Sequence, residues 1–479
     1  MLDKLVIMCG AVSDSLSETA PLVVTVYFVT AKEAYNMNGR YYANTVRQVL
    51  VESIDHLDTN KALYLQNPEK DFSRKRKLPF DTIINQLLQM ESGTLQAELL
   101  KYHNFSDDTP TKSAFCQQRA KISPEALKDL FFSFTKKLIE IDTPKTSIEG
   151  YLLLAGDGSD INIPYNCSDT ETYHQNAGKR GYNQLHLNAL YDLLNGIYID
   201  IVVEPASKSH ERAALIEMVD RYDLPFPAIF TADRGYEGYN MFAHLLSSGQ
   251  KFLIRLKDPD SNGIISTYDF EPIRSKNKEF DCDISTILTH RQTREVKENW
   301  DTYTFVARSH LDYPDGSSVF PLNLRIVCIE VKDGVYEYLA TNLDRSGFNS
   351  ARLKELYHLR WGIETSFRDL KYTIDLLHFH GRKRHYVEQE IWARLTVYNF
   401  CEAITRHTTA EKKNFAKHDV KINFATAACI CKAFLRQNNG EEIDVCRLIG
   451  RFLIPIRPDR SAARNVKPQS AKIFIYRAA

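Results

Sequence analysis

Four residues in one short stretch have side chains that could bind or stabilise charge. The stretch LYHLRWGIETSFRDLK contains Tyr357, Arg360, Glu364 and Lys371. At about 100° per residue, a helix would place the last three at about 300°, 340° and 320° relative to Tyr357. One narrow helix face would then carry an aromatic hydroxyl, a carboxylate and two cations. A solvated helix with i,i+4 ion pairs presents the same pattern, so these residues need partners elsewhere in the chain to indicate chemistry.

Two aspartates that follow apolar runs could be such partners. Asp157 follows YLLLAG and Asp233 follows PAIFTA, and both runs are typical of buried strands. Carboxylates at the ends of neighbouring strands repel each other unless cations neutralise them. Mg²⁺ prefers carboxylate oxygens. Glu364 on a helix could complete a two-ion clamp that activates an attacking oxygen and stabilises a leaving one.

The identity of the first aspartate has an alternative. Asp160 lies three residues beyond Asp157 in AGDGSDI, and the Asp-Gly pair after the apolar run favours Asp157. A single Asp at a strand end is also more typical of a turn or a helix cap than of a metal site. The turn DRGY at Asp233 is more specific, because it closes an apolar strand without an obvious structural need for charge.

The elements around these aspartates predict an α/β fold. Between residues 150 and 256 there are five strand-like runs, YLLLAGDGSDINIP, HLNALYDLL, IYIDIVVEP, PAIFTA and KFLIRLKD, with helical segments before and after PAIFTA. The order strand, strand, strand, helix, strand, helix, strand is that of an RNase H-like core, in which helices flank a mixed sheet. The pair Asn195-Gly196 predicts a type I′ hairpin turn between the second and third strands.

The region before residue 149 has the pattern of a small all-helical unit. Apolar residues recur at helical spacing from residue 41 to 56, Thr111 or Ser113 could cap a helix, and Ser123 with Pro124 could open another. The cations of these helices permit two interpretations. A DNA-binding region of helix-turn-helix character would place them near phosphates, whereas a plain bundle would leave them solvated. These cations are Lys112, Arg119 and Lys121.

Composition restricts the kind of protein. The 61 basic residues balance 61 acidic ones, so binding of a polyanion would need local positive patches and not a global field. The nine cysteines are scattered, which favours reduced thiols and a cytoplasmic location. No apolar run is long enough to span a membrane.

The two ends differ from the rest of the chain. Residues 1–36 lack the order of a secretory signal, which suggests a leader or disordered extension with Met37 as an alternative start; the intact mass of the native protein would test this. Residues 451–479 contain seven cations and one acid, and their low apolar content predicts a tail that is disordered unless bound. Such a tail would add salt-dependent DNA affinity, and a solubilising role is the alternative.

The spaced residues and the two aspartate contexts resemble a known family. Tyr357-x2-Arg360-x3-Glu364-x6-Lys371 is similar to the signature of DDE transposases of the insertion-sequence-four family, with every spacing intact. AGDGSDI and TADRGYEGYN resemble the contexts of that family's first and second catalytic aspartates. The resemblance extends from about Tyr41 to the mid-400s.

The resemblance implies roles for the matching residues. Asp157, Asp233 and Glu364 would be the catalytic carboxylates and would bind two Mg²⁺ ions, with Mn²⁺ able to substitute. Other residues would contact DNA. These are Tyr357, Arg360 and Lys371, at the transposon end. Arg119 and Lys121 are further candidate DNA contacts that come from the DNA-binding interpretation of the helical region and not from the resemblance.

The family also has a β-rich insertion between its second aspartate and its glutamate. Residues 257–345 contain TYTFVARSHL, NLRIVCIEV and VYEYLATNL, which are typical of antiparallel strands. In the family a flipped base is stacked on an aromatic ring near this insertion. Trp300 could have that role, although packing is the favoured interpretation for Trp300 and also for Trp361.

The sequence therefore predicts a metal-dependent DDE-type DNA transposase. It would cut at transposon ends with activated water and transfer the freed 3′ hydroxyl to another phosphate. Its partners would be transposon-end DNA and target DNA, bound by a homodimer in the cytoplasm at the nucleoid and not at a membrane. The alternatives are an RNase H-fold nuclease without strand transfer and a non-catalytic domesticated DNA-binding protein. The predicted divisions are a leader (1–36), a helical DNA-binding region (37–148), an RNase H-like core (149–256), a β-rich insertion (257–345), the rest of the core with C-terminal helices (346–450) and a basic tail (451–479).

Overall fold

The computed structural model describes residues 31–74, 76–141, 147–176, 178–268, 278–307, 319–408, 419–436 and 444–456. The predicted leader (1–36) and basic tail (451–479) lie mostly outside the described residues. Contacts divide the described chain into two compact units. One unit contains residues 31–52 and the described residues from 400 to 456, and the other contains those from 53 to 399. Every candidate site residue belongs to the second unit.

Helices and strands have the following bounds. The helices are α1 Ala31–Thr59, α2 Phe80–Gln89, α3 Leu95–Tyr102, α4 Lys112–Arg119, α5 Pro124–Ile141, α6 Glu211–Asp220, α7 Tyr239–Ser247, α8 Arg294–Glu298, α9 Ser350–Leu359, α10 Trp361–Tyr372, α11 Arg384–His407, α12 Phe424–Arg436 and α13 Val445–Gly450. The strands are β1 Leu152–Ile163, β2 Tyr173–Asn176, β3 Lys179–Asp192, β4 Ile197–Pro205, β5 Ala228–Ala232, β6 Lys251–Leu256, β7 Phe280–Thr289, β8 Tyr303–Phe305, β9 Val319–Lys332, β10 Val335–Thr341, β11 Val420–Ile422 and β12 Leu453–Pro455. Within the described residues, no helix is long and apolar enough to cross a membrane.

The predicted RNase H-like core is confirmed. Its strand order is β4-β3-β1-β5-β6 within a larger sheet. β3 is antiparallel to β1 and β4, whereas β5 is parallel to β1 and β6. α6 and α7 form the connections on either side of β5. β5 is buried along its whole length, as expected for a parallel strand whose two faces are covered.

Successive residues of β1 face opposite sides of the sheet, and helices cover both. A Cβ atom at Gly156 would lie 2.8 Å from Leu215 of α6, so the even positions of β1 face α6. Leu153 belongs instead to a core cluster that includes Leu353 and Tyr357 of α9. The odd positions of β1, including position 157, therefore face α9 and α10.

The strands predicted between residues 257 and 345 extend the same sheet. β10 pairs antiparallel with β6, and β9 lies between β10 and β7. The full order is β2-β3-β1-β5-β6-β10-β9-β7-β8, with β4 also paired to β3. This β-rich stretch therefore continues the RNase H-like sheet edge to edge.

The predicted hairpin of β3 and β4 is confirmed, but its turn is not of type I′. That turn requires a positive φ at both central residues, and of the pair only Gly196 has one, at 75°. The chain closes instead through a hydrogen bond from the Gly196 N–H to the Asp192 carbonyl at 2.8 Å. The Asp192 carboxylate accepts bonds from the backbone N–H groups of Leu194 and Asn195, which stabilises this longer loop.

The region before residue 149 is helical, as predicted. Thr111 rather than Ser113 caps α4, since its hydroxyl accepts a hydrogen bond from the Ala114 N–H at 3.2 Å. The Ser123 hydroxyl accepts one from the Glu125 N–H at 3.3 Å at the start of α5. α1 is longer than its periodic core and reaches from Ala31 to Thr59.

The other unit contains α12, α13 and the antiparallel pair β11–β12. The Arg47 guanidinium lies over the Phe434 ring at 5.1 Å, and the Cys446 thiol lies 3.1 Å from the Gly39 carbonyl. The eight cysteines in the described part of the chain are free thiols, which agrees with the sequence interpretation.

Candidate active site

The sequence suggested that Asp157 lies at the end of its strand. In the structure Asp157 lies in the middle of β1. β5 stops at Ala232, which pairs with Gly156. β1 continues beside β3, where Asp157 pairs with Ala189. Asp157 is thus the first residue of β1 beyond the end of β5, next to the position of Asp233. The apolar run predicted the buried half of the strand but not its polar continuation.

Asp233 follows β5 directly and caps a short 3₁₀ helix, Arg234–Tyr236. Its carboxylate accepts a hydrogen bond from the Gly235 N–H at 2.7 Å. This bond fixes one oxygen of the carboxylate at the end of the strand. Asp233 therefore has a structural capping role and also lies beside Asp157.

The predicted helix over residues 356–371 is interrupted at Arg360. The Arg360 N–H bonds to the Tyr357 carbonyl at 3.0 Å, and the Ile363 N–H bonds to the Arg360 carbonyl at 3.1 Å. Both bonds span three residues, so the chain is wound more tightly here than in an α-helix. A single helical wheel therefore does not describe the four signature residues. In the same segment the apolar residue Leu359 is 42% exposed.

Arg360 lies between two of the three predicted carboxylates. Its side chain is almost fully buried, with 7% exposure. One guanidinium nitrogen, Nη2, donates to Glu364 Oε1 at 3.2 Å. The other, Nη1, lies 3.9 Å from Asp157 Oδ2. The break between α9 and α10 thus places a cation between the strand carboxylate and the helix carboxylate.

The pKa of Asp157 reflects the electrostatics of this face. Burial raises the pKa of Asp157 to about 6, and repulsion from Asp233 and Glu364 adds to this effect. The Gly158 N–H and the charge of Arg360 act in the opposite direction without cancelling it. Burial is therefore the main cause of the raised pKa, and the charge of Arg360 does not offset it.

The donor atoms of this face suit a hard divalent cation. Asp157, Asp233 and Glu364 offer only carboxylate oxygens, the donor type that Mg²⁺ and Mn²⁺ prefer. In the part of the chain that the structure describes, no three or more Asp, Glu, His or Cys side chains are grouped closely enough to hold a metal ion. The carboxylates therefore fit the ion in donor type and in charge but are not close enough together in this conformation to hold it, and Arg360 provides the positive charge between Asp157 and Glu364.

Tyr357 is buried in the core, where its ring lies 5.8 Å from the Arg360 guanidinium. It is 5% exposed and belongs to the apolar cluster beneath the sheet. Burial raises its pKa to about 12, and its buried hydroxyl has no hydrogen-bond partner among the described residues. The hydroxyl is thus a buried polar group without a bond in this conformation, which is uncommon in proteins.

Lys371 lies against β1. Its Nζ donates to the Ser159 hydroxyl and to the Asp160 carbonyl, both at 2.8 Å. Burial lowers the pKa of Lys371, and the charge of Asp160 opposes this. Lys371 is therefore fixed two to three residues along the strand from Asp157.

Asp160 faces the opposite side of the sheet from Asp157. It is an even position of β1, and its carboxylate is 2.8 Å from His186 Nδ1. Glu364 and Arg360 lie on the odd side with Asp157. Of the two alternatives for the first carboxylate, only Asp157 shares a face with Glu364.

The two cations predicted in the helical region have different surroundings. Arg119 is 4% exposed and bonds to Gln389, Glu390 and the Tyr386 carbonyl of α11. In this conformation it has no surface at which a phosphate could bind. Lys121 is 30% exposed and lies 3.4 Å from Asp71, so a phosphate could reach it.

Sequence reasoning missed one charged pair beside the site and misjudged two tryptophans. Arg255 follows Ile254, the partner of Ala232, so it adjoins Asp233 in the next strand, and it pairs with Glu337 at 2.8 Å. A cation inside the apolar run KFLIRLKD was the available signal. Packing was favoured for both tryptophans, but Trp300 is 71% exposed and Trp361 is 50% exposed.

Comparison with known proteins gives one family. Residues 149–400, more than half of the chain, match the family model described as Transposase DDE domain. Among solved structures, a piggyBac transposase synaptic complex with hairpin DNA is similar, with a TM-score of 0.42 and 10% identity over 84% of this chain and 79% of that chain. No curated protein matches the chain.

Proposed function

The chain belongs to the transposase DDE domain family, and we propose that it is a DNA transposase whose catalytic carboxylates are Asp157, Asp233 and Glu364. The observation that carries this proposal is the meeting of Asp157, Arg360 and Glu364 on one face, beside the end of β5 that Asp233 follows. Asp157 retains a raised pKa although a guanidinium lies beside it. A face built in this way is suited to positive charge that the protein itself does not provide.

The three carboxylates would hold two Mg²⁺ ions, and Mn²⁺ would be able to substitute. Bound there, the ions would lower the pKa of a water molecule and stabilise negative charge on the scissile phosphate. Asp157 and Asp233 would provide rigid ligands, because β1 and the capped turn after β5 fix their backbones. Glu364 would provide the third ligand from α10.

The cations of the signature would hold the DNA end beside these carboxylates. Arg360 has one nitrogen, Nε, without a hydrogen-bond partner among the described residues, but this atom is buried, so the site would have to open before a phosphate oxygen could bind it. Lys371 would add a second phosphate contact from α10. Tyr357 would need its side chain or α9 to move, because its hydroxyl is now buried.

DNA binding beyond the site would involve several further regions. Lys121 would contact the backbone of transposon-end DNA, and exposed Trp300 would stack on an unpaired base. Arg119 would act indirectly by holding α4 against α11. Target DNA would be the second substrate, and two copies of the chain would act together on the two ends of one element.

The proposal is tested with the DNA that flanks the reading frame. Inverted repeats in that DNA would define an end substrate labelled on each strand. We expect the protein to cut it in Mg²⁺ or Mn²⁺ and not in the presence of a chelator. No cleavage of any end substrate, with binding retained, would favour the non-catalytic DNA-binding alternative.

A second arm distinguishes a transposase from a nuclease. End DNA that is already cut, with a free 3′ hydroxyl, is incubated with a supercoiled target plasmid. A transposase joins the end to the plasmid and produces a nicked or linear product that carries the label. Hydrolysis of end DNA without any joined product would identify a nuclease without strand transfer.

A further inference from the structure

The face of β1 that points away from the candidate site carries a three-residue ion network. Asp160 and His186 are directly opposed across β1 and β3, and their side chains meet at 2.8 Å. The other ring nitrogen of His186, Nε2, lies 3.3 Å from Glu211 Oε1 at the start of α6. The network thus links β1, β3 and α6 through one imidazole ring.

The contacts of His186 fix its charge. Its side chain is 10% exposed. Burial alone would lower its pKa, but the hydrogen bonds and charges of Asp160 and Glu211 outweigh burial and raise the pKa to about 9. The ring is therefore protonated at neutral pH, with Nδ1 hydrogen-bonded to Asp160 and Nε2 in an ion pair with Glu211.

The same few residues of β1 carry the contacts of the candidate site. The Gly158 N–H bonds to Asp157 Oδ1 at 2.8 Å, and the Asp160 carbonyl accepts a hydrogen bond from Lys371 at 2.8 Å. A Cβ atom at Gly158 would lie 2.3 Å from His186 Nε2, so the ring packs directly against the strand backbone. Displacement of this ring would thus displace the segment from Asp157 to Asp160.

We propose that His186 is a positioning residue for DNA cleavage, which holds Asp157 and the Lys371 contact in place from the opposite face of β1. The inference rests on the proposed function, because it assigns a purpose to residues of that site. His186 touches neither substrate nor ion. It acts through the Asp160 backbone carbonyl and through the strand segment that bears Asp157.

The variants for the test are His186→Gln and the milder Glu211→Gln. The matched control is His244→Gln, because His244 is also buried and also pairs with an acid of α6, Asp220, at 3.0 Å. Two readouts are measured on the full chain. The first is the rate of DNA-end cleavage at saturating DNA, with the dissociation constant for the end measured separately. The second is the rate at which an acylating reagent labels Lys371, read by peptide mass spectrometry, which needs no catalytic activity.

The expected result is a joint change in both readouts. His186→Gln should lower the cleavage rate about tenfold, with end affinity within about twofold of the wild type, because displacement of about 1 Å is costly to catalysis. In this variant the reagent should also label Lys371 about fivefold faster, because the Lys371 ammonium loses a fixed hydrogen-bond acceptor. Glu211→Gln should show the same changes in smaller measure, and His244→Gln should show neither.

A double variant separates positioning from general destabilisation. If His186 acts through Lys371 and its neighbours, His186→Gln should lower the cleavage rate by a smaller factor in a Lys371→Ala background than in the wild type. Unchanged labelling of Lys371, or an equal loss of cleavage with His244→Gln, would overturn the inference. Absence of cleavage by the wild type would count against the proposed function, whereas the labelling rate would still decide whether His186 positions Lys371.

Discussion

Two arginines of this protein are almost equally buried but are held in different ways. Arg119 is 4% exposed and Arg360 is 6% exposed. Arg119 donates from three nitrogens at 2.6 to 2.8 Å to Tyr386, Gln389 and Glu390. Arg360 makes one hydrogen bond of 3.2 Å, to Glu364, and its Nε has no partner among the described residues.

This difference in hydrogen bonding distinguishes an arginine of a structural ion pair from an arginine of a candidate active site. Buried polar groups in proteins are normally hydrogen-bonded, and Arg119 follows this rule. Arg360 departs from it beside Asp157, whose burial raises its pKa. Because this incomplete bonding lies next to the candidate carboxylates, further atoms such as phosphate oxygens and cations would complete the contacts there.

The largest expected effect is on stability, from Arg119→Ala. Although burial alone would raise the pKa of Glu390, the charges of Arg119 and His380 hold this pKa well below its usual range. Removal of Arg119 would leave Glu390 buried without its main partner, at a cost of about 3–5 kcal/mol. Urea unfolding measures this loss, and Lys121→Ala is the control because Lys121 is partly exposed. Equal stability of the Arg119 and Lys121 variants would show that the buried pair is not important.

Arg360→Ala should have the opposite profile. We expect cleavage to fall by about 100-fold, because a preorganised cation beside the reacting phosphate is lost. Unfolding free energy should change by only about 1 kcal/mol, because Arg360 has few bonds to lose. Arg360→Lys keeps the positive charge but not the planar guanidinium group. Its cleavage rate should therefore lie between those of the wild type and Arg360→Ala. A loss of stability as large as that of Arg119→Ala would remove the distinction between the two arginines.

The His186 network gives a pH-dependent intermediate case. The pKa of His186 is raised to about 9 from its ordinary value of 6.5, so the stabilisation by the network is complete below about pH 6.5 and is lost as the pH rises through about 9. Because Asp160 and Glu211 are partly exposed and screened by solvent, we expect about 2 kcal/mol between wild type and His186→Gln at pH 6. Unfolding free energies at pH 6 and pH 10 measure the change. A difference that grows toward pH 10 would contradict the assignment of a protonated ring.

The smallest expected effect concerns Lys121. Its loss should weaken end-DNA binding modestly and reduce the slope of log affinity against log salt by about one, as for a single phosphate contact. Stability should change by less than about 1 kcal/mol, because the pair with Asp71 is partly exposed. Lys208→Ala is the matched control, since Lys208 also pairs with an acid, Glu171, and lies outside the helical region before residue 149. An unchanged salt slope for the Lys121 variant would favour the plain-bundle interpretation.

Periodicity predicted the core of the fold because burial determines which residues alternate. The runs around Asp157 and Asp233 gave the strands, and Thr111 and Ser123 gave helix starts through local capping. The register of β1 and β5 could not be predicted from the sequence, because the position of the end of β5 along β1 depends on pairing between distant segments. That register places Asp157, and not Asp160, on the face of Glu364.

Other features of the site depend on tertiary contacts that have no local signal. The tighter turn at Arg360 interrupts the helix between Tyr357 and Glu364, although their spacing fits one continuous helix. Arg119 and Lys121 are two residues apart and similar in charge, yet only Arg119 meets a buried acid from a segment about 270 residues away. Burial of a charge is decided by its distant partner, which the local sequence does not contain.

The most direct test of the central claim is cleavage of end DNA in Mg²⁺ by Asp157→Ala, Asp233→Ala and Glu364→Ala. End binding is measured in parallel, and Asp220→Ala, which alters an acid paired with His244, is the control. Each site variant should lose at least about 1,000-fold in cleavage rate while end affinity stays within about twofold. Full cleavage by the Asp233 variant would contradict the assignment of this face as the catalytic site.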